Sequence, residues 1–205
     1  MSDQNLSVLT IGHSTRSMDA FLTLLKEYDV TAVADVRSVP FSRFNPQFNK
    51  DALKSTLPLC GIKYVFLGTE LGARSSDQSC YENGRVNYAR LAHTESFVQG
   101  ISRVKRGARK YRLALMCAEK EPLDCHRALL VARKLDEEGI NISHILGDGR
   151  LEHHQDTIER LLDTLGLRPE LFSSRRDLIA KALARQENKV AYVDEKLASD
   201  ESGGL

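Results

Sequence analysis

Ser7-Val-Leu-Thr-Ile11-Gly-His13-Ser14-Thr-Arg16-Ser17-Met18-Asp-Ala-Phe21-Leu22-Thr-Leu-Leu25-Lys-Glu-Tyr28-Asp-Val30-Thr-Ala-Val-Ala-Asp35 is the stretch that decides the fold. Ser7 to Ile11 is a compact apolar run of strand length. Ser17 is placed to cap a helix in which Met18, Phe21, Leu22, Leu25 and Tyr28 recur at helical spacing and make one buried stripe. Val30 to Asp35, rich in β-branched residues, reads as a second strand. A strand, a helix and a strand in so short a span predict a right-handed parallel crossover, and with it an α/β class.

The same alternation continues outward from this unit. A short helix over Asp51 to Leu59 precedes a third strand, Gly61-Ile-Lys-Tyr64-Val-Phe66. Leu113-Ala-Leu-Met-Cys117 reads as a fourth strand and Asn141-Ile-Ser-His144-Ile-Leu146 as a fifth. Between them Asp124 is placed as an N-cap, with Cys125, His126 and Arg127 in the first helical turn, Ala128, Leu129, Ala132 and Leu135 on the inner side, and Gly139 as the stop. The expected architecture is a single domain with a mainly parallel, roughly five-stranded sheet flanked by helices. Its layering is Rossmann-like without a dinucleotide fingerprint, because Gly12-His-Ser-Thr-Arg16 stands where GxGxxG would follow the first strand. The expected boundaries are 6–170 for the α/β domain, 171–198 for an accessory helical segment and 199–205 for a flexible tail. Pro40 to Lys50 has no regular period and reads as an ordered functional loop or lid. Leu67 to Asn87, rich in Gly, Ser, Asp and Asn, reads as an irregular excursion, and Tyr88 to Arg109 as a helix interrupted or ended near Gly107.

Composition narrows the function classes. With 41% hydrophobic and 28% charged residues the chain is too apolar for disorder. A formal net charge of +1 excludes a globally basic nucleic-acid-coating protein. A local cluster remains, Arg103 to Arg112, with six basic residues among ten. Such a cluster suits either a phosphate backbone or the solvated carboxyl end of a helix. No apolar segment approaches the ~20 residues that span a bilayer, and Met1 to Leu6 lacks the features of a signal peptide. The expected location is therefore the cytoplasm, with no membrane partner. Cys60, Cys80, Cys117 and Cys125 lack paired CxxC spacing and read as free thiols of a reducing compartment.

In a parallel sheet the carboxyl ends of the strands share one edge, where ligands bind. Three loops should meet there: Gly12 to Arg16, Asp35 to Arg43, and Cys117 to Arg127. Cys125 is the sharper thiol, because a helix N-terminus, His126 and Arg127 would bring its pKa below the ~8.5 of free cysteine. Cys125 is thus the candidate nucleophile or redox thiol, with Glu119 or His126 as proton-transfer partner. Arg37, Arg43 and Arg127 are candidate anion binders; His13, Ser14, Asp35 and Cys117 complete the substrate wall, Asp35 by orienting Arg37 or His13. Each residue also has an ordinary reading: a buried Cys packs as a small hydrophobe, and an Asp at a strand end caps a loop. A phosphatase Cys-x5-Arg cradle fails, since Leu123 occupies the Arg position and Glu119 and Glu121 would repel an anion nested in that loop. Cys117, Cys125, His126 and His13 are metal-capable donors, but the eight-residue separation of the cysteines matches no standard zinc spacing, so no metal is expected. No cofactor follows from these residues.

The motifs Gly12-His13-Ser14, Asp35-Val36-Arg37-x-x-Pro40-x-Ser42, Tyr64-x-x-Leu67-Gly-x-x-Leu71-Gly72, Cys117-x-Glu119, Cys125-His126-Arg127 and His144-Ile145 together resemble the widespread bacterial family catalogued as domain of unknown function 488. The resemblance runs from about Leu6 to Ile145. It implies one α/β domain with these motifs around a single pocket, and it implies no reaction; a label linking some members to DNA repair is an association. The chain departs from the family at Leu71-Gly72-Ala73-Arg74, where Leu-Gly-Gly is frequent, which alters a tight turn. The expected function is an enzyme acting on an anionic substrate, nucleotides among the candidates. The alternatives are a nucleic-acid-binding accessory protein using Arg103 to Arg112 and a non-catalytic domain that binds a small anion.

Overall fold

The computed structural model describes residues 6–168 and 174–200. From β1 (Ser7–Gly12) the chain passes through α1 (Met18–Glu27) to β2 (Ala32–Asp35), then through α2 (Lys50–Leu59) to β3 (Lys63–Phe66). A short helix, α3 (Gly68–Leu71), and a hairpin of β4 (Tyr81–Glu82) and β5 (Arg85–Val86) organise the excursion that follows. Helices α4 (Tyr88–Ala92) and α5 (Glu95–Ala108) lead back to β6 (Leu113–Cys117). A 3₁₀ turn (Pro122–Asp124) and a π-helical turn (Arg127–Ala132) open α6 (Arg133–Glu137). The chain closes with β7 (Asn141–Ile145), β8 (Leu151–His153), α7 (His154–Thr164), α8 (Arg175–Val190) and α9 (Glu195–Asp200). The main sheet has six strands in the order β3-β2-β6-β1-β7-β8, parallel except for β8, which runs against β7.

Ser17 caps α1 as its position predicts, its side chain accepting from the Ala20 N–H at 3.2 Å, and Gly139 stops α6 with φ +79°. Two expectations change. The sixth strand, β8, is three residues long, too short for a period to show. The helix expected over Tyr88 to Arg109 is two helices, because the Thr94 side chain accepts from the Phe97 N–H at 3.3 Å and starts a new one.

Alternation along β6 sets the layers. Leu113, Leu115 and Cys117 join the larger core with Phe97, Ile101 and Val104 of α5 and Leu135 of α6. Ala114 and Met116 join the core beneath Phe21 and Leu25 of α1 and Leu53 and Leu57 of α2. Residues two apart share a face of a strand, so Cys117 lies on the α6 side. The segment expected as an accessory packs into this larger core through Leu178, Ala182 and Leu183, and its Gln186 Nε2 donates to the Leu123 carbonyl at 2.8 Å. Residues 169–173 and, of the expected tail, 201–205 lie outside the described residues, while 199–200 close α9. No helix among the described residues is long and apolar enough to cross a membrane.

Candidate functional site

The sheet register brings the three loops together: Gly12 stands opposite Cys117 and Asp35 opposite Met116. Pairing continues past the strand ends, with the His13 N–H on the Cys117 carbonyl at 2.9 Å, Ser14 on Ala118 at 2.9 Å and Val36 on Met116 at 3.0 Å. Gly12 is needed for this approach. A Cβ there would stand 1.8 Å from the Glu119 carbonyl oxygen.

Behind the edge lies a buried polar knot. The Asp35 carboxylate accepts from Arg37 Nε at 2.8 Å, from Arg37 Nη2 at 2.6 Å and from the Tyr64 hydroxyl at 2.8 Å. Arg37 Nη2 also donates to the Phe48 carbonyl at 2.8 Å and Nη1 to His13 Nε2 at 3.1 Å. His13 Nδ1 faces the Ser14 carbonyl at 2.7 Å, and the ring stacks on Phe48 with centroids 4.3 Å apart. A carbonyl can only accept, so the His13 proton is on Nδ1 and Nε2 receives Arg37. Burial pushes the His13 pKa down to about 4, against the opposing pull of the Ser14 carbonyl, which keeps the ring neutral. The Tyr64 hydroxyl is raised above its usual value by burial and then by Asp35. These bonds use four of the five Arg37 N–H groups, and one Nη1 hydrogen remains.

In front of the knot is a cleft of about 270 Å³ whose wall contains Arg37, Cys117, Glu119, Cys125 and His126. Cys125 is not in the first helical turn, as its spacing predicts, but caps it. Its backbone is extended, at φ −142° and ψ 136°. Its carbonyl accepts from the Ala128 and Leu129 N–H groups, and its Sγ accepts from the Arg127 N–H at 3.4 Å. Asp124, expected as the cap, instead ends the 3₁₀ turn. The Cys125 sulfur lies 2.9 Å from Glu119 Oε2. His126 Nε2 faces the Val36 carbonyl at 3.0 Å and so carries a proton, which leaves Nδ1 toward Cys117 Sγ at 3.7 Å and Cys125 Sγ at 3.9 Å.

The two thiols are driven apart. Burial opposes ionisation of Cys125, but a hydrogen bond from Cys117, the Arg127 guanidinium and His126 outweigh it and hold the thiol well below its ordinary pKa. Cys117 is pushed well above its own, by burial and then by Cys125. His126 is raised despite burial, by its contact with the Cys125 sulfur. Burial and then the same sulfur raise the Glu119 carboxyl. Glu119 as a whole residue is exposed, so water weakens the burial part and the neighbouring sulfur carries more of the shift. A thiolate and a carboxylate cannot both stay charged 2.9 Å apart, so one proton is shared between Cys125 and Glu119. These directions favour negative charge on the Cys125 sulfur and the shared proton on Glu119, with Cys117 held as the thiol.

Five expected substrate-binding residues do not line this cleft. Arg127 is fully enclosed, and its guanidinium donates to the Glu119 carbonyl at 2.6 Å, the Lys120 carbonyl at 3.2 Å and Thr10 Oγ1 at 3.4 Å. The guanidinium clamps the loop and acts on Cys125 through its charge, while the Arg127 backbone N–H bonds the sulfur directly. His13 and Asp35 are buried in the knot, Ser14 is half-buried with φ +52° and lies outside the cleft wall, and Arg43 lies exposed on the 38–49 loop. Within the basic segment, Arg103 pairs with Glu70, Lys105 with Glu138 at 3.1 Å, and Arg112 Nε donates to the Tyr28 carbonyl at 3.2 Å. Arg112 immediately precedes β6, which puts it at the amino edge of the sheet, opposite the cleft.

Three wall residues were not among the expected site residues. Arg74 reaches the cleft with its guanidinium 4.5 Å over the Tyr192 ring, and its N–H is fixed by Ser38 Oγ at 2.9 Å. Tyr88 and Tyr192 complete the wall. Arg74 sits in the Leu71-Gly72-Ala73-Arg74 departure, which was the available signal; Tyr192 comes from the C-terminal segment, which offered none. The donor atoms of Cys117, Cys125 and His126 lie within 4.8 Å of one another, close enough to share a soft cation. The Cys125 sulfur is already engaged by Glu119 and the Arg127 N–H, so the geometry described is a hydrogen-bonded thiol cluster.

Comparison with known proteins agrees with the motif pattern. No curated protein and no solved structure matches the chain. One family model matches residues 17–134, more than half of the chain. The match includes the Asp35, Tyr64 and Cys117 to Arg127 motifs and leaves Gly12-His13-Ser14 and His144-Ile145 outside. On that match, the chain belongs to the family described as Domain of unknown function DUF488.

Proposed function

We propose that the cleft is the active site of an enzyme that attacks a small anionic substrate with the Cys125 sulfur. One observation carries this reading: the sulfur caps a helix, contacts an acid and an imidazole, and opens onto a cleft that also receives Arg37 and Arg74. Cys125 is the nucleophile, and Glu119 delivers or takes the proton as the leaving group departs. His126 stabilises the thiolate. Arg74 and the remaining Arg37 N–H bind the anion, and Asp35, Tyr64 and His13 hold Arg37 in place. The cleft, of about 270 Å³, has room for a small carboxylate, phosphate or sulfur compound. A reducing compartment such as the cytoplasm suits four free thiols.

The test is alkylation of the reduced protein across pH, with the partly exposed Cys60 as internal reference. Cys125 is expected to react with an apparent pKa below that of Cys60, and a panel of small anions to slow the reaction. Arg74→Ala should abolish the protection while leaving Cys125 alkylation intact. An apparent pKa for Cys125 at or above that of Cys60, or an absence of protection by every anion, would defeat the proposal. The nucleic-acid reading has less support, because Arg103 and Lys105 are paired with carboxylates and Arg112 lies at the sheet edge opposite the cleft; salt-dependent binding that falls when Arg103 to Arg112 are neutralised would restore it.

A further inference from the structure

The proposed attack by Cys125 leaves Cys117 without a chemical role, although it opens onto the same cleft and both sulfurs face His126 Nδ1. We infer that Cys117 and Cys125 form a reversible dithiol–disulfide couple, in which Cys117 captures the Cys125 sulfur after that sulfur has been oxidised by a small hydroperoxide. The inference rests on the reading of Cys125 as the nucleophile of the cleft and assigns both the co-substrate class and the second thiol.

Topology makes the pair. Cys117 ends a central strand on the α6 face, and Cys125 caps the helix that returns over that face, so residues eight apart in sequence have sulfurs within 4.8 Å. A disulfide needs about 2.05 Å between the sulfurs. Closing the remaining gap requires the Cys125 sulfur to leave Glu119 and the Arg127 N–H. Cys60, which packs on the opposite core beneath α1 and α2, is a separate thiol and serves as a control.

The chemistry balances without another component. The Cys125 thiolate attacks the outer peroxide oxygen; an S–O bond forms, the O–O bond breaks, and the leaving alkoxide or hydroxide takes the Glu119 proton. The peroxide gains two electrons and the sulfur, now a sulfenic acid, loses two. The Cys117 sulfur then attacks Cys125, the S–O bond breaks, and the released hydroxide takes the Cys117 proton to leave as water. An external dithiol restores the couple by giving back two electrons. The division of labour suits this order, since the ionised thiol attacks and the protonated one resolves.

The sequence makes the test direct. Trypsin cuts after Arg112, Lys120 and Arg127, so Cys117 and Cys125 fall on separate peptides, 113–120 and 121–127, and a disulfide between them appears as a cross-linked pair. Reduced full-length protein is treated with one equivalent of hydrogen peroxide, with and without dimedone, then alkylated and digested. The expected result is about one 113–120/121–127 cross-link per chain, reversed by dithiothreitol. Cys117→Ser and Cys117→Ala should each give no cross-link and a dimedone adduct at Cys125. An adduct at Cys125 of wild type without any cross-link overturns the role of Cys117 and leaves the attacking thiol standing. A Cys125 oxidised no faster than Cys60 overturns both. Protection of both cysteines by stoichiometric cobalt(II), with a thiolate charge-transfer band, overturns the couple in favour of a metal centre.

Discussion

Replacing Asp35 by alanine tests the knot behind the cleft. The Asp35 and Arg37 side chains are 0% and 6% exposed, so the substitution leaves a guanidinium inside the protein with no counter-charge. Breaking a buried pair by removing one partner costs about 3–5 kcal/mol. The orphaned Tyr64 hydroxyl adds to this, since a buried unsatisfied group costs about 1–3 kcal/mol. Relaxation makes these terms less than additive, and a loss of about 4 kcal/mol is the working value. Against a domain stability of about 5–15 kcal/mol this is a large fraction. The chain has no tryptophan, so urea unfolding followed by far-UV circular dichroism is the suitable assay. Asp35→Leu combined with Arg37→Met removes both charges and should cost clearly less than the two single changes summed, with a coupling of about 2 kcal/mol or more. A loss below about 1 kcal/mol for Asp35→Ala, or a double variant that equals the sum, would show that water reaches the pair and that Asp35 does not hold Arg37.

Gly12→Ala should destabilise by about 2–3 kcal/mol and slow Cys125 alkylation, because its Cβ meets the Glu119 carbonyl at 1.8 Å. Gly107→Ala is the control: its nearest contact is Leu113 Cδ2 at 3.5 Å, so helix propensity should leave it neutral or slightly stabilised. Equal costs for the two would remove the claim that Gly12 positions the loop. His13 predicts a pH window. Its folded pKa of about 4 lies below the ordinary 6.5, so between those values the unfolded chain takes up a proton that the folded protein refuses. Stability is therefore full above pH 6.5 and falls as the pH drops toward 4, by about 3 kcal/mol for this group. His144 and His154 shift in the same direction, so the contribution of His13 is read as the part of the urea-midpoint slope that His13→Asn removes; an unchanged slope would contradict a neutral buried ring.

The strand–helix–strand pattern made the layers legible because apolar alternation and capping are local. The division between α4 and α5 was missed because Thr94 acts through one hydrogen bond inside an otherwise helical run. Cys117, Glu119, Cys125 and His126 were legible as a cluster, since strand ends meet wherever a sheet is parallel. Arg127 was misplaced for a physical reason. From sequence, an arginine that reaches a ligand looks the same as one consumed by the carbonyls of Glu119 and Lys120, and only the fold shows that Thr10 closes over its other side. Arg74 and Tyr192 were hidden because their contributions depend on a loop and a C-terminal segment meeting across the cleft.

The motifs far from the thiols find a common purpose in the loop from Cys117 to Arg127. Gly12 lets β1 press on the Glu119 carbonyl. Asp35 and His13 fix Arg37, and the Val36 carbonyl between them orients His126. Arg127 holds the Glu119 and Lys120 carbonyls and is itself backed by Thr10, which bonds His144 Nδ1 at 2.7 Å; His144 Nε2 meets His154 Nδ1 at 3.0 Å. Burial pushes His144 well below its ordinary pKa, so this chain adds no second positive charge behind the Arg127 guanidinium. Residues that read from sequence as substrate-binding, His13, Asp35 and Arg127 among them, are thus parts of a rigid frame. Their effect is to hold one sulfur at a helix cap, one acid beside it and one imidazole behind it, within distances that a flexible loop would not maintain.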